Sequence, residues 1–480
     1  MKRWVTAIAL AALLAGCNGG SVGAGSTGSA SGGGTATPSP TPSPTASASC
    51  SLRARQDWAF AQISEWYLFP ETLPASLDPA PYPSVGAYID ALTATARDQR
   101  KDRFFTYVTS IAEENAFYES GASAGFGIRL STDGAARRAF VSEAFEGAPA
   151  LAAGIDRGTE ILAVATPGGA FRTVTDIIAA EGTGGVSGAL GPSDAGVQRI
   201  LRVSDAAGTR EVTLTKAAYN ITPISDRYGA RVIENGGRPV GYLNLRTFIG
   251  TADDQLRAAF ARFKAAGVRD VVVDLRYNGG GLVDTAELFG DLLGGARTSR
   301  DVQNYVTYRP SKSSRNETRS YRPQSESVAP MRLAFIGTGA TASASELVIN
   351  QALPYFGSDV ALVGANTYGK PVGQIPLDRP ACDDRLRVVA FATQNAARQG
   401  DYYDGLASKV PQTCQAEDDT THALGDPAEA SLRVALDFIN GRACTRIAAG
   451  QTSQAAGGGR RTLLPAERPS AAQREMPGLF

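Results

Sequence analysis

The sequence predicts a multidomain α/β protein: a small helical domain over 50–118, a β-rich domain over 119–217 and a mixed α/β core over 218–445. Three observations predict it. "DWAFAQISEWYLF" and "SVGAYIDALTATARD" place apolar residues at helical spacing. From about 120 to 216 the texture changes to short strands and glycine turns. Beyond that, buried apolar runs alternate with an amphipathic helix, the pattern of a sheet covered on its faces.

The 480 residues carry 47 basic and 47 acidic side chains, with 43% apolar and 20% charged residues. This balance suits a globular protein and gives no reason to expect nucleic acid or an acidic membrane face as partner. The start, "MKRWVTAIALAALLAGC", has Lys2 and Arg3 followed by an apolar run too short to span a bilayer. It closes on Leu14-Ala15-Gly16-Cys17, which resembles a bacterial lipobox. The resemblance implies a signal peptide over 1–17, lipidation of Cys17 and an exported, lipid-anchored protein. A plain secretory signal is the alternative. Asn18 in place of Asp favours the outer membrane, facing the periplasm. The Gly/Ser/Pro-rich stretch 18–49 reads as a linker, and 446–480 as a disordered tail.

In the helical domain, Trp58, Ile63, Trp66 and Leu68, then Val85, Tyr88, Ile89 and Leu92, read as core. In the β-rich domain, "GFGIRL" (Gly125 to Leu130) and "GAPALAAGIDRGTEILAV" (Gly147 to Val164) together resemble a PDZ domain. The resemblance implies that an extended peptide adds to a strand edge while the loop Gly125-Phe126-Gly127-Ile128 holds its terminal carboxylate.

In the core, "RPVGYLNLRTF", "VRDVVVDLRYNGGG", "MRLAFIGTG" and "VALVGANT" read as strands, and "LRAAFARFKAAG" as a helix ending at Gly267. The polar stretch 300–329 reads as a solvated hairpin or a lid between catalytic segments. Besides Cys17 there are four cysteines, which export places in an oxidising space. Of the possible pairings, Cys382 with Cys414 and Cys50 with Cys444 are expected, the second tying together the ends of the folded region. Zinc is disfavoured because there is no CxxC pair and His422 is the only histidine. No metal or other cofactor is expected.

"TASASELV", residues 341–348, holds three hydroxyls. Ser343 with Glu346 fits a capping box. A serine at a helix start also lies beside free amides able to hold an oxyanion. The base would be Lys370 in "VGANTYGKPVGQ", since a buried lysine loses its charge more readily and can then accept a proton. A phosphate loop is disfavoured there by Pro371, where a metal-binding hydroxyl belongs. "DLRYNGGG", Asp274 to Gly281, ends a strand on glycines whose amides can approach a ligand. A Ser343–His422 pair is the conventional alternative, but His422 sits in a polar stretch and reads as a surface residue.

These three stretches in this order resemble the C-terminal processing peptidases, or tail-specific proteases, over roughly residues 100 to 440. "DRFFTYV" from Asp102 resembles a further family segment. The resemblance implies a serine endopeptidase with a Ser-Lys dyad: Ser343 as nucleophile, Lys370 as base and Gln374 as its orienter. The oxyanion hole would use the Ala344 amide and one from Gly279 or Gly280, with Thr341 and Ser345 structural. Protein or peptide substrates are implied, and the C-terminal portion looks like a lipoprotein branch of the family. Pro371 after the lysine, Tyr277 in the glycine segment, Thr341 and a longer serine–lysine interval depart from the pattern. The rival expectation is a non-catalytic scaffold that binds protein C-termini.

Overall fold

A computed structural model describes residues 49–448, 460–464 and 469–480. The expected signal peptide, Cys17 and the linker as far as residue 48 lie outside the described residues.

The core is a six-stranded sheet in the order Ala230–Glu234, Pro239–Asn244, Asp270–Asp274, Arg332–Gly337, Val360–Gly364, Gln412–Gln415. The first pair is antiparallel and the rest are parallel. Alternation along the strands serves both faces. Val271, Val273, Leu333 and Phe335 meet the helices Ala252–Ala265, Val283–Leu293 and Ala344–Phe356. Val272, Ala334 and Ile336 meet the helix Ala430–Ile439. The helix Ala252–Ala265 stops at Gly267, whose φ of 66° suits glycine.

A five-stranded antiparallel sheet carries the lysine segment. Asp384–Gln394 pairs with Tyr107–Ser110, Val302–Tyr308 and Val372–Arg379. The helices Leu52–Trp66 and Val85–Leu92 pack their buried faces on Leu386, Val388 and Val389 of this sheet. The N-terminal helices therefore share a core with the strand that follows Lys370. The stretch 300–329 contains a hairpin, Val302–Tyr308 with Glu317–Ser320, joined to the same sheet.

The β-rich region forms a seven-stranded sheet whose strands include Ile128–Asp133, Arg138–Ala144, Glu160–Ala165, Gln198–Asp205 and Gly208–Thr215. It surrounds an apolar cluster with Phe126, Ile128, Leu130, Ile161 and Ile177.

Two expectations are corrected. The tail is not disordered throughout. Arg460–Thr462 pairs with Ser131–Asp133, and Ser470–Phe480 is docked with Met476, Leu479 and Phe480 buried. The polar composition hides a few apolar anchors, and an open strand edge supplies the backbone bonds that composition cannot reveal. The disulfides are Cys50–Cys382 and Cys414–Cys444, not the expected pairs. The segment after the helix Ala430–Ile439 returns along the edge strand, where the Gln415 amide donates to Thr445 O, bringing Cys444 to Cys414. Cys50 precedes the helix that packs on the strand after Cys382.

Candidate active site

Ser343 sits where the strand Arg332–Gly337 has turned into the helix Ala344–Phe356. Its φ of 55° and ψ of −115° are unusual for a residue with a Cβ. The surroundings enforce this conformation. The Ala342 amide donates to Asn278 O (3.0 Å), and the Thr341 hydroxyl donates to Leu275 O (2.9 Å). The Ser345 hydroxyl also donates to Asn278 O (3.0 Å), so both flanking hydroxyls are spent on the glycine segment.

Asn278 is the hub of that segment. Its side-chain amide donates to Leu245 O (2.8 Å), and its Oδ1 accepts from the Gly280 amide (2.9 Å). At Gly280, with φ 121°, a Cβ would lie 2.7 Å from Ser343 Cβ and 3.1 Å from the Ala344 amide nitrogen. Only glycine permits this approach. The Gly280 amide is thus committed to Asn278, whereas the Gly279 amide faces another chain segment: it donates to Glu475 O at 2.9 Å.

Lys370 follows the strand Val360–Gly364, and its Nζ donates to Gln374 Oε1 at 2.8 Å. The Gln374 side-chain amide donates to Phe105 O, and Lys370 Nζ lies 5.0 Å from the Phe105 ring centroid. Asp102 shapes that supporting turn by accepting from the Phe105 amide (2.7 Å), the Thr106 hydroxyl (2.7 Å) and the Tyr67 hydroxyl (2.8 Å). Arg103 donates to Tyr368 O (2.9 Å) and Tyr403 O (3.2 Å), clamping the loop just before the lysine. The residue as a whole is only half-buried. Even so, burial around its amine is the largest influence and pulls the Lys370 pKa below the ordinary 10.5, while the carboxylates of Glu475 and Asp102 push it back up.

The serine and lysine segments meet on one carboxylate. Glu346 is fully buried. Its Oε2 accepts from the Ser343 amide (3.1 Å) and the Lys370 amide (2.7 Å). Its Oε1 accepts from the Gly369 amide (2.7 Å) and the Thr367 hydroxyl (2.6 Å). Burial raises its pKa, and these four bonds oppose the rise. Sequence reasoning saw Glu346 only as half of a capping box. It missed Asn278 as a hub, although the residue lies inside a quoted motif, and Arg103 beside Asp102. His422 is separate from all of this: it is 43% exposed and paired with Asp419 Oδ2 at 2.7 Å.

The loop Gly125-Phe126-Gly127-Ile128 lies at the edge of the β-rich sheet. Its Gly127 and Ile128 amides both donate to the main-chain oxygen of Phe480, at 2.9 and 3.1 Å. Phe126 and Ile128 are buried, in the same apolar cluster as Phe480.

The elements around Ser343 and Lys370 can be compared with known proteins. Residues 239–398 match the model described as peptidase family S41. That span contains Asn278, Gly279, Gly280, Ser343, Glu346, Lys370 and Gln374. The chain is 30% identical over 223 residues to the chloroplastic carboxyl-terminal-processing peptidase 1 of Arabidopsis thaliana, an alignment covering 45% of this chain and 41% of that protein. It is 28% identical over 265 residues to a carboxyl-terminal-processing protease of Picosynechococcus sp., covering 54% and 58%. The alignments thus span about half the length of these two proteins. A crystal structure from Bacteroides fragilis described as an S41 protease has the same fold: TM-score 0.61 at 24% identity, covering 80% of this chain and 97% of that one.

Proposed function

We propose that this chain is a serine peptidase acting on proteins through their C-terminal residues, with Ser343 as nucleophile and Lys370 as general base. The observation that carries the reading is the Glu346 carboxylate, which ties the Ser343 and Lys370 backbones together while Gln374 holds the lysine amine. A buried amine with a lowered pKa is neutral in a larger fraction of molecules, so it can accept a proton.

In this scheme Lys370 takes the Ser343 hydroxyl proton as Oγ attacks the substrate carbonyl. The Ala344 and Gly279 amides hold the resulting oxyanion; Gly279 is preferred over Gly280, whose amide is engaged by Asn278. The lysine ammonium then protonates the departing amine as the C–N bond breaks, leaving an ester on Ser343. Water, deprotonated by the same lysine, attacks that ester and releases the carboxylic acid and the free hydroxyl. The loop Gly125–Ile128 holds the final residue of the substrate.

The lipobox-like Leu14-Ala15-Gly16-Cys17 supports a location in the cell envelope, anchored through lipid on Cys17. Incorporation of a labelled fatty acid should occur in the intact chain and vanish in Cys17→Ser; labelling that persists in Cys17→Ser contradicts the anchor. For catalysis, unfolded protein substrates are incubated with a chain lacking residues 1–48. Ser343→Ala and Lys370→Ala should each lower cleavage by about 10³-fold or more with an unchanged thermal transition. Full activity in either variant contradicts the dyad, and no cleavage by the unaltered chain leaves the scaffold reading in its place.

A further inference from the structure

The docked segment Ser470–Phe480 occupies both halves of the machinery assigned above. Its end adds to the edge of Ile128–Asp133 as an antiparallel strand. The Phe480 amide donates to Ile128 O (2.8 Å), and the Leu130 amide donates to Gly478 O (2.8 Å). The Gly127 and Ile128 amides converge on the Phe480 oxygen. The Phe480 side chain is 2% exposed, within the cluster that contains Phe126 and Ile128. Nothing larger than glycine fits at 125, where a Cβ would lie 2.7 Å from the Phe480 carbonyl carbon.

The other end of the segment covers the glycine turn. A short helix, Ala471–Glu475, buries Ala471, Ala472 and the following Met476 against Phe117, Phe145, Tyr219 and Ile249. The carbonyl of Glu475 takes the Gly279 amide at 2.9 Å, the donor that a substrate carbonyl would need. A Cβ at Gly279 would lie 2.7 Å from that same oxygen. The Glu475 carboxylate accepts from the Tyr118 hydroxyl at 2.9 Å. Between the two ends, Arg129 donates to Pro477 O at 3.0 Å.

We propose that residues 470–480 are the resident ligand of this chain's own peptide groove, and that they hold the oxyanion donor covered until a competing peptide displaces them. The proposal rests on the peptidase reading for what is being covered. The preferred ligand follows from the groove: a small residue, Leu and an aromatic residue in succession, as in Gly478-Leu479-Phe480. The tether gives the segment an effective concentration on the order of millimolar. Against a segment with an intrinsic Kd of about 10 µM, a free peptide would bind about 100-fold more weakly than to an open groove.

The test separates binding from turnover. In a Ser343→Ala background, anisotropy of a fluorescent peptide of sequence Ser470–Phe480 is measured on three proteins: the intact chain, a chain ending at Arg468, and a chain with a cleavage site inserted between Ala466 and Glu467. The third folds whole and is cut afterwards, which covers the case in which the shortened chain does not fold. Removal or cutting should raise peptide affinity at least about tenfold. With Ser343 intact, the same treatment should raise turnover of an unrelated peptide substrate, and the segment peptide should inhibit it. Equal peptide affinity in the intact and cut proteins overturns the proposal. So does release of Met476–Phe480 by the intact chain but not by Ser343→Ala, because the segment is then a substrate rather than a resident. Raised affinity with no turnover in any protein supports the self-ligand while refuting the peptidase.

Discussion

Glu346 and Glu475 both act on Lys370, and they are held very differently. Glu346 is enclosed by the fold and receives four donors, three of them backbone amides of the very segments it joins. Glu475 belongs to a docked segment; its carboxylate receives the Tyr118 hydroxyl, and its carbonyl receives the Gly279 amide. The first carboxylate cannot leave without undoing the turn before Lys370. The second departs whenever the segment peels from the strand edge. On the proposed reading, one molecule carries a permanent framework for the lysine and a removable cover for the Gly279 amide.

The largest effect should come from breaking the permanent half. Glu346→Ala strands three amides and the Thr367 hydroxyl in a buried site. A loss of about 3 kcal/mol or more is expected in denaturant unfolding. Peptidase turnover should fall by about 100-fold or more through misplacement of the dyad. Glu346→Gln should fall between Ala and wild type, since one acceptor oxygen remains. If Glu346→Ala unfolds like wild type, the carboxylate does not organise the site.

The next effect concerns the groove. Amidating the C-terminus of a peptide substrate removes a charge that the Gly127 and Ile128 amides can meet while keeping every side chain. Binding to the opened groove should weaken by about 10-fold to 100-fold. Equal binding of amide and free acid would show that the loop captures no carboxylate.

These two regions also differ in how far the sequence disclosed them. Ser343, Lys370, Gln374 and the glycines were singled out because each residue type answers a chemical need within a short motif, and the fold brings those motifs together. The core strands were legible from their apolar runs. Glu346 was visible only as a helix-start residue, because its partners Thr367, Gly369 and Lys370 lie 21 to 24 positions away. The docked segment was obscured by its polar neighbours; Met476, Leu479 and Phe480 do not form a periodic pattern, and their strand partner lies more than 300 residues earlier. The cysteine pairs depend on where the chain returns, which spacing alone does not determine.

A smaller effect sharpens the comparison through pH. Activity should rise with pH as Lys370 loses its proton, with the rising limb below the ordinary lysine value of 10.5. The groups facing the amine are Glu475 on the docked segment, Asp102 in the N-terminal turn, Glu346 on the helix and Arg387 on the neighbouring strand. A negative charge favours the ammonium, so with the segment docked Glu475→Gln should lower the lysine pKa, read by direct titration of the Lys370 amine in a Ser343→Ala chain. A raised or unchanged pKa would show that Glu475 does not act on Lys370 by its charge. The smallest effect is expected at His422, whose replacement by Ala should leave turnover unchanged and stability within about 0.5 kcal/mol. Loss of activity there would reinstate the histidine as base.

The central claim, that Lys370 activates Ser343, is tested most directly by covalent labelling with a fluorophosphonate. Peptide mass mapping should place the adduct on Ser343, and Lys370→Ala should abolish labelling while the protein remains folded. An adduct on another residue, or undiminished labelling of Ser343 in Lys370→Ala, would contradict the account.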